Sequence, residues 1–349
     1  MILSSQHRLK TIPIFKFILI MGVVFIHSNI YHLTPSGFNG YGPEIVNFIT
    51  SLMQVCVPSF FIISGYLFFY GVDNFTADVY KKKLSSRFKT LFIPYMIWDL
   101  FCAALFIIKV LFLNFPGLGI IENDTIHWGR FLEGFVYIEQ ADGYPYAFAF
   151  WFVRNLMVFV ILTPIVRLIA WKWWSVILLF FIKLIFDIDL HGIEWFISGA
   201  AVGIHGLSPD KFNNKSGIML FSGILYLAIA IVRFWFIGDK VTDMIGLCLE
   251  VQAGFCFLYL LSCRLVGFST TVTGRQLCSS TFFLYAFHQC FCSVTLKFWL
   301  RIVGYNTILS SLLSYLLTFL SLFGISFLTY LLLNRYFPKG MRILSGNRS

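Results

Sequence analysis

The chain has 349 residues, 58% hydrophobic and 12% charged, with a mean hydropathy of +0.82 and a formal net charge of +10. So apolar a composition excludes an ordinary soluble domain and makes a polytopic membrane protein the starting point. Apolar runs near twenty residues, in place of short alternating strands, also exclude a transmembrane β-barrel and predict an all-α bundle of ten helices.

The first apolar segment, residues 13 to 31, reads as a retained helix and not a signal peptide, because no small-residue cleavage site follows it. Within it, KFILIMGVVFIHSN places Lys16 at one end and His27 at the other. At ~100° per residue, the eleven steps between them make three turns plus roughly 20°, with a rise of about 16 Å. Both side chains therefore share one face. Singly, each has a bland explanation: a lysine near the boundary snorkels, and a core histidine bonds to a neighbour. Stacked on one face, they point to a polar path through the bundle.

The second segment, 45 to 70, contains VCVPSFFIISGYLFFY, where Pro58 and the pair Ser64 and Gly65 either kink the helix or permit close packing. Ahead of the third, 88 to 113, stands KKKLSSRFKTLFIP. Lys83, Arg87 and Lys89 there suit a phosphate-bearing ligand, anionic lipid headgroups being the alternative. A loop from 114 to 147 follows, carrying Glu122, Asp124, Glu133, Glu139 and Asp142.

The fourth segment, 148 to 170, includes WFVRNLMVF, with Trp151 and an Arg154 too costly to leave unpaired in hydrocarbon. The fifth and sixth, 174 to 188 and 193 to 207, are short. FDIDLHGIE between them is an external turn or the tip of a re-entrant pair. Segments 217 to 237 and 244 to 262 are followed by 276 to 298, where TFFLYAFHQCFC sets Tyr285 and His288 on one helical face. A packing hydrogen bond is the alternative reading of that pair. The tenth segment is 307 to 333.

With the N-terminus placed in the cytoplasm, the inner segments collect Arg8, Lys10, Lys81, Lys82, Lys83, Arg87, Lys172, Lys211, Lys215, Arg264, Arg275, Arg335, Lys339, Arg342 and Arg348. The outer ones hold Arg130, Lys240 and Arg301. That bias predicts cytoplasmic tails at 1–12 and 334–349 and accounts for the basic excess without nucleic acid. The eight cysteines lie in or beside apolar segments with no zinc-type spacing, so neither a disulfide framework nor a metal site is expected. No repeat or linker divides the single membrane domain, residues 1–349.

In this order the motifs resemble the integral membrane acyltransferase-3 family over most of the chain. Its pattern of a basic residue, ten residues and a histidine is met by Lys16 and His27. VPSFFIISGYL is similar to its second-helix signature, and RFKTLFIPYMIW, WFVRNL and TFFLYAFH fall where its third, fourth and late-helix motifs fall. One departure is Thr90 where many members carry the second arginine of Arg-x-x-Arg. The resemblance implies a stand-alone membrane O-acyltransferase of the bacterial cytoplasmic membrane, without an appended SGNH-type domain. It would bind no cofactor, take acetyl-CoA or another acyl-CoA as co-substrate, and act on a glycan or lipid-linked sugar, with membrane lipids and polysaccharide-assembly proteins as partners. In that reading His27 and Lys16 are catalytic; Lys83, Arg87 and Lys89 hold the donor; Ser64, Trp151, Arg154, Tyr285 and His288 line the acceptor side. His27 acts as a base or carries the acyl group transiently. A solute transporter and a structural subunit of an assembly complex are the rival readings.

Overall fold

The computed structural model describes residues 10–29, 41–113, 131–137, 145–207, 216–236 and 238–346. Among them no strand occurs, and the helices follow in chain order. The first is α1 (Thr11–His27). α2 (Tyr41–Leu52) passes through a 3-10 turn (Met53–Val55) into α3 (Cys56–Phe69), and α4 (Ala77–Arg87) passes through a π-helical turn (Phe88–Phe92) into α5 (Ile93–Leu113). Next come α6 (Trp151–Ile161), α7 (Thr163–Ala170), α8 (Trp173–Phe186), α9 (Ile193–Ile204) and α10 (Ser216–Phe236). The series closes with α11 (Lys240–Arg264), α12 (Val266–Ser269), α13 (Val272–Val303), α14 (Ile308–Tyr336) and α15 (Pro338–Leu344).

Each of the ten expected segments is helical over most of its length. By length and apolarity, however, five stretches among the described residues suffice to cross a membrane: Glu44–Phe69, Ala77–Ile108, Ser216–Phe236, Lys240–Arg264 and Ile308–Tyr336. A sixth is added if α6 and α7, bent by 75°, are one broken span. The helices α8 and α9, of 14 and 12 residues, are only ~21 and ~18 Å long against a hydrocarbon core of ~30 Å. Large apolar side chains such as Phe221, Leu309 and Leu328 face outward from these rods. The chain is thus a multi-pass membrane protein. Glu122, Asp124, Arg130, Glu139 and Asp142, expected on the outer side, and the basic residues Arg8, Lys211, Lys215 and Arg348 lie outside the described residues.

The third segment starts earlier than its apolar run. Thr76 caps α4 by accepting the Val79 N–H at 3.4 Å, and Asp78 stands in the first turn, so Lys81 to Lys83 ride on the same rod as the apolar residues after them.

Helix α1 is central, packing on α13, α11, α3 and α14, with Phe15 and Leu19 wholly buried. Ser64 and Gly65 do not break α3. They serve close packing: a Cβ on Gly65 would fall 2.0 Å from the Phe196 carbonyl oxygen, and one on Gly199 would fall 1.8 Å from that of Ile62. The backbones of α3 and α9 therefore touch, the small-residue contact that holds helices where lipid supplies no hydrophobic drive between them. Pro58 lies in the first turn of α3, just after the 3-10 turn, where a missing N–H costs little.

Two of the buried carboxylates, Glu250 and Glu194, are paired with cations. Arg233 on α10 donates from Nε to Glu250 on α11 at 2.6 Å, and from its two terminal nitrogens to Asp243 at 3.2 Å and Gln54 at 2.9 Å. Lys183 on α8 likewise meets the buried Glu194 on α9. Arg233→Leu leaves the Glu250 carboxylate buried and alone, and is expected to cost about 3 kcal/mol. Thermal unfolding in detergent, compared with the double variant Arg233→Leu, Glu250→Leu, checks this: the second substitution should recover stability, and a further drop would show that the pair is not the source of the loss.

Candidate functional site

A cavity of about 660 Å³ lies among α1, α3, α6 and α13. Its α1 wall is Ile12, Pro13, Lys16, Ile20, Val23 and His27, a stripe at helical spacing that contains both residues singled out from the sequence. Its α13 wall is Cys278, Ser279, Thr281, Phe282 and Tyr285. Ser64 faces it from α3, Arg87 from the end of α4, and Ala149, Trp151 and Phe152 from the start of α6. Six candidate residues thus meet in one space: Lys16, His27, Ser64, Arg87, Trp151 and Tyr285. The wall between the Lys16 end and the His27 end is mostly apolar, with Ile20, Val23, Val57, Phe60, Leu156 and Val160.

The other four candidates are placed elsewhere. Lys83 donates to the Phe68 carbonyl at 2.5 Å and sits 5.0 Å over the Phe68 ring, holding the C-terminal end of α3. Lys89 is exposed, as expected two residues and ~200° beyond Arg87. Arg154 donates to the Val136 carbonyl at 2.6 Å and to Asn155 at 3.2 Å, tying the segment 131–137 to α6. His288 is fully buried behind the cavity wall, its ring centroid 5.3 Å from that of His27. Its Nδ1 lies 2.9 Å from the Leu284 carbonyl, which can only accept, so Nδ1 carries the proton; Nε2 has no protein partner among the described residues. The spacing of Tyr285 and His288 does not give a bond between them, since Tyr285 donates instead to the Ala149 carbonyl.

His27 is the last residue of α1, and the end of that helix is held from two sides. The Tyr315 hydroxyl donates to the Phe25 carbonyl at 2.9 Å, and the Cys292 thiol donates to the His27 carbonyl at 3.0 Å. Two carbonyls of the last turn of α1 are thereby bonded from α14 and α13, which fixes the end of the helix that carries the imidazole.

Sequence reasoning missed the residues that shape the His27 end. Asp99, buried on α5, accepts the Ala147 N–H at 2.6 Å, and Gln289 on α13 accepts the Ala149 N–H, also at 2.6 Å. They place Phe148 edge-on to His27, with ring centroids 5.7 Å apart. The available signals were a carboxylate within an apolar run and an amide beside His288. Thr281 lies one turn before Tyr285 on the same face of α13, but, like Ser279, it is a residue type common on any helix and carries no signal of its own.

Chemically, the cavity wall offers two cations, Lys16 and Arg87, suited to an anionic group, a largely apolar lining, and the imidazole of His27 eleven residues along α1 from Lys16. Among the described residues, no three His, Cys, Asp or Glu side chains converge as a metal site.

A family model described as an acyltransferase domain matches residues 10–331. The succinoglycan biosynthesis protein ExoH of Rhizobium meliloti (strain 1021) is 27% identical over 236 residues, which is 63% of this chain and 60% of that protein. The match therefore spans less than two thirds of that relative. No solved structure matches the chain.

Proposed function

The chain belongs to the acyltransferase family whose domain covers residues 10–331, and from that premise we propose that it moves an acetyl group from cytosolic acetyl-CoA to a hydroxyl of a surface polysaccharide or lipid-linked sugar. The observation that carries the reading is the cavity shared by Lys16, Arg87 and His27. The relative named for succinoglycan biosynthesis supports a polysaccharide as the acceptor class. In this reading ten helical segments cross the cytoplasmic membrane with both termini inside, so that the Lys16 end faces the cytosol.

Lys16 and Arg87 then hold the phosphates of the donor by charge-assisted hydrogen bonds. The pantetheine arm lies along the apolar stripe of α1, and the thioester reaches His27 over a rise of about 16 Å. The imidazole takes the proton of the acceptor hydroxyl as its oxygen attacks the thioester carbonyl. Collapse of the tetrahedral intermediate breaks the carbon–sulfur bond, and the imidazolium returns its proton to the departing thiolate. The bond that forms is an ester, and no net proton is released. Ser64 and Trp151 shape the cavity around the acyl group, with His288 and Tyr285 fixing the wall behind it. Lys83 and Arg154, committed to backbone carbonyls, and the exposed Lys89 add positive field to the two mouths.

Radiolabelled acetyl-CoA supplied to membranes tests this reading: label entering polysaccharide without uptake of solute into vesicles supports it, and uptake without transfer favours a transporter. Lys16→Ala should raise the KM for acetyl-CoA about 10- to 100-fold, the loss of one hydrogen bond to a charged group, with a smaller change in kcat. An unchanged donor KM would remove Lys16 from phosphate binding.

A further inference from the structure

The geometry points to Phe148 as the platform of an acceptor subsite, a surface on which the apolar C–H face of a sugar ring stacks while one of its hydroxyls reaches His27. The proposal rests on the acyl-transfer reading above. Phe148 packs against the imidazole, with ring centroids 5.7 Å apart, at the edge of the cavity that Ala149 and Trp151 line. Its side chain is 42% exposed, whereas Ala147, Ala149 and Phe150 around it are 0 to 3% exposed. The segment thus buries its neighbours and presents one aromatic ring beside the base.

That presentation is rigid, and it is held at a cost. Two N–H groups of the segment are bonded by Asp99 and Gln289, and Tyr285 donates to the Ala149 carbonyl, so side chains from α5 and α13 replace a regular ladder. Asp99 is wholly buried, and its second carboxylate oxygen has no protein partner among the described residues. A carboxylate at that depth is an expensive way to satisfy one N–H, which a neutral side chain would serve as well if only packing were at stake. Fixing the ring against His27 gives the expense a use. A flat apolar ring with a polar partner beside it suits a pyranose, whose faces carry C–H groups and whose edge carries hydroxyls. Asp99 and Gln289 are accordingly positioning residues for Phe148.

The test uses membranes containing the full chain, the polysaccharide of the producing cells as acceptor, and radiolabelled acetyl-CoA. Phe148→Leu keeps apolarity and part of the volume but lacks the ring face, and is expected to lower transfer to polysaccharide by about tenfold with the KM for acetyl-CoA unchanged. Phe148→Tyr keeps the ring and should stay near the wild-type rate. Asp99→Leu should reproduce the Phe148→Leu defect, and Asp99→Asn, which retains the accepting oxygen, should not. Equal transfer by Phe148→Leu and wild type, a Tyr variant as poor as the Leu variant, or a defect confined to donor KM would each overturn the subsite alone. A wild-type protein that transfers no label overturns the acyl-transfer reading instead.

Discussion

His27→Ala is expected to lower acyl transfer by about 10² to 10⁴, the contribution of a positioned general acid–base group. The protein should remain folded in the membrane. The imidazole is half-buried at the end of α1, and the carbonyls of Phe25 and His27 are held by Tyr315 and Cys292 irrespective of the side chain at 27. A defect in kcat with the donor KM intact would separate the chemical step from binding. A variant that transfers its acyl group at the wild-type rate removes His27 from the mechanism. His27→Gln, which restores a hydrogen-bonding group but not a base, should be no better than the alanine variant.

Gly199→Leu should prevent accumulation of folded protein. A Cβ at that position meets the Ile62 carbonyl oxygen at 1.8 Å and its carbon at 2.6 Å, and backbone cannot rotate aside as a side chain does. α3 and α9 must separate, and the same crossing is sealed by Gly65 and Gly203, so the loss spreads along the contact. The expected cost exceeds the ~1–3 kcal/mol of ordinary overpacking. Gly324 in α14 is the control, since a Cβ there has open space around it, and Gly324→Ala should keep or slightly raise stability through helix propensity. Fluorescence-detected gel filtration in detergent distinguishes the two. A monodisperse Gly199→Leu protein with an unchanged melting temperature would show that the two helices do not cross as closely as described.

The stripe on α1 was legible because two ionisable residues in an otherwise bare apolar helix fix a face by themselves, and the 3.6-residue period then selects Ile12, Ile20 and Val23 between and beside them. The neighbouring stripe on α13 obeys the same period but is built from Cys278, Thr281, Phe282 and Tyr285, residues common on any apolar helix, so nothing marks it before a partner is known. Contacts across the chain were beyond reach. Asp99 meets Ala147 48 positions away and Gln289 meets Ala149 140 positions away, and neither pairing leaves a local pattern. Arg154 reads as a ligand group because a membrane arginine needs a partner, and Lys83 because it stands in a basic run suited to phosphate. The partners they take, carbonyls of Val136 and Phe68, exist only once helix ends and turns are formed. The short α8 and α9 illustrate a different difficulty: apolarity alone marks a segment as buried but does not fix whether it crosses.

Photo-crosslinking with an acyl-CoA that carries a diazirine on its acyl chain, mapped by peptide mass spectrometry, tests the shared cavity most directly. The label should fall on α1 near Val23 and His27 or on α13 near Tyr285, should be displaced by excess CoA, and should weaken in Lys16→Ala. Label on the lipid-facing side of α10, or label indifferent to CoA, would contradict a donor path running from Lys16 to His27.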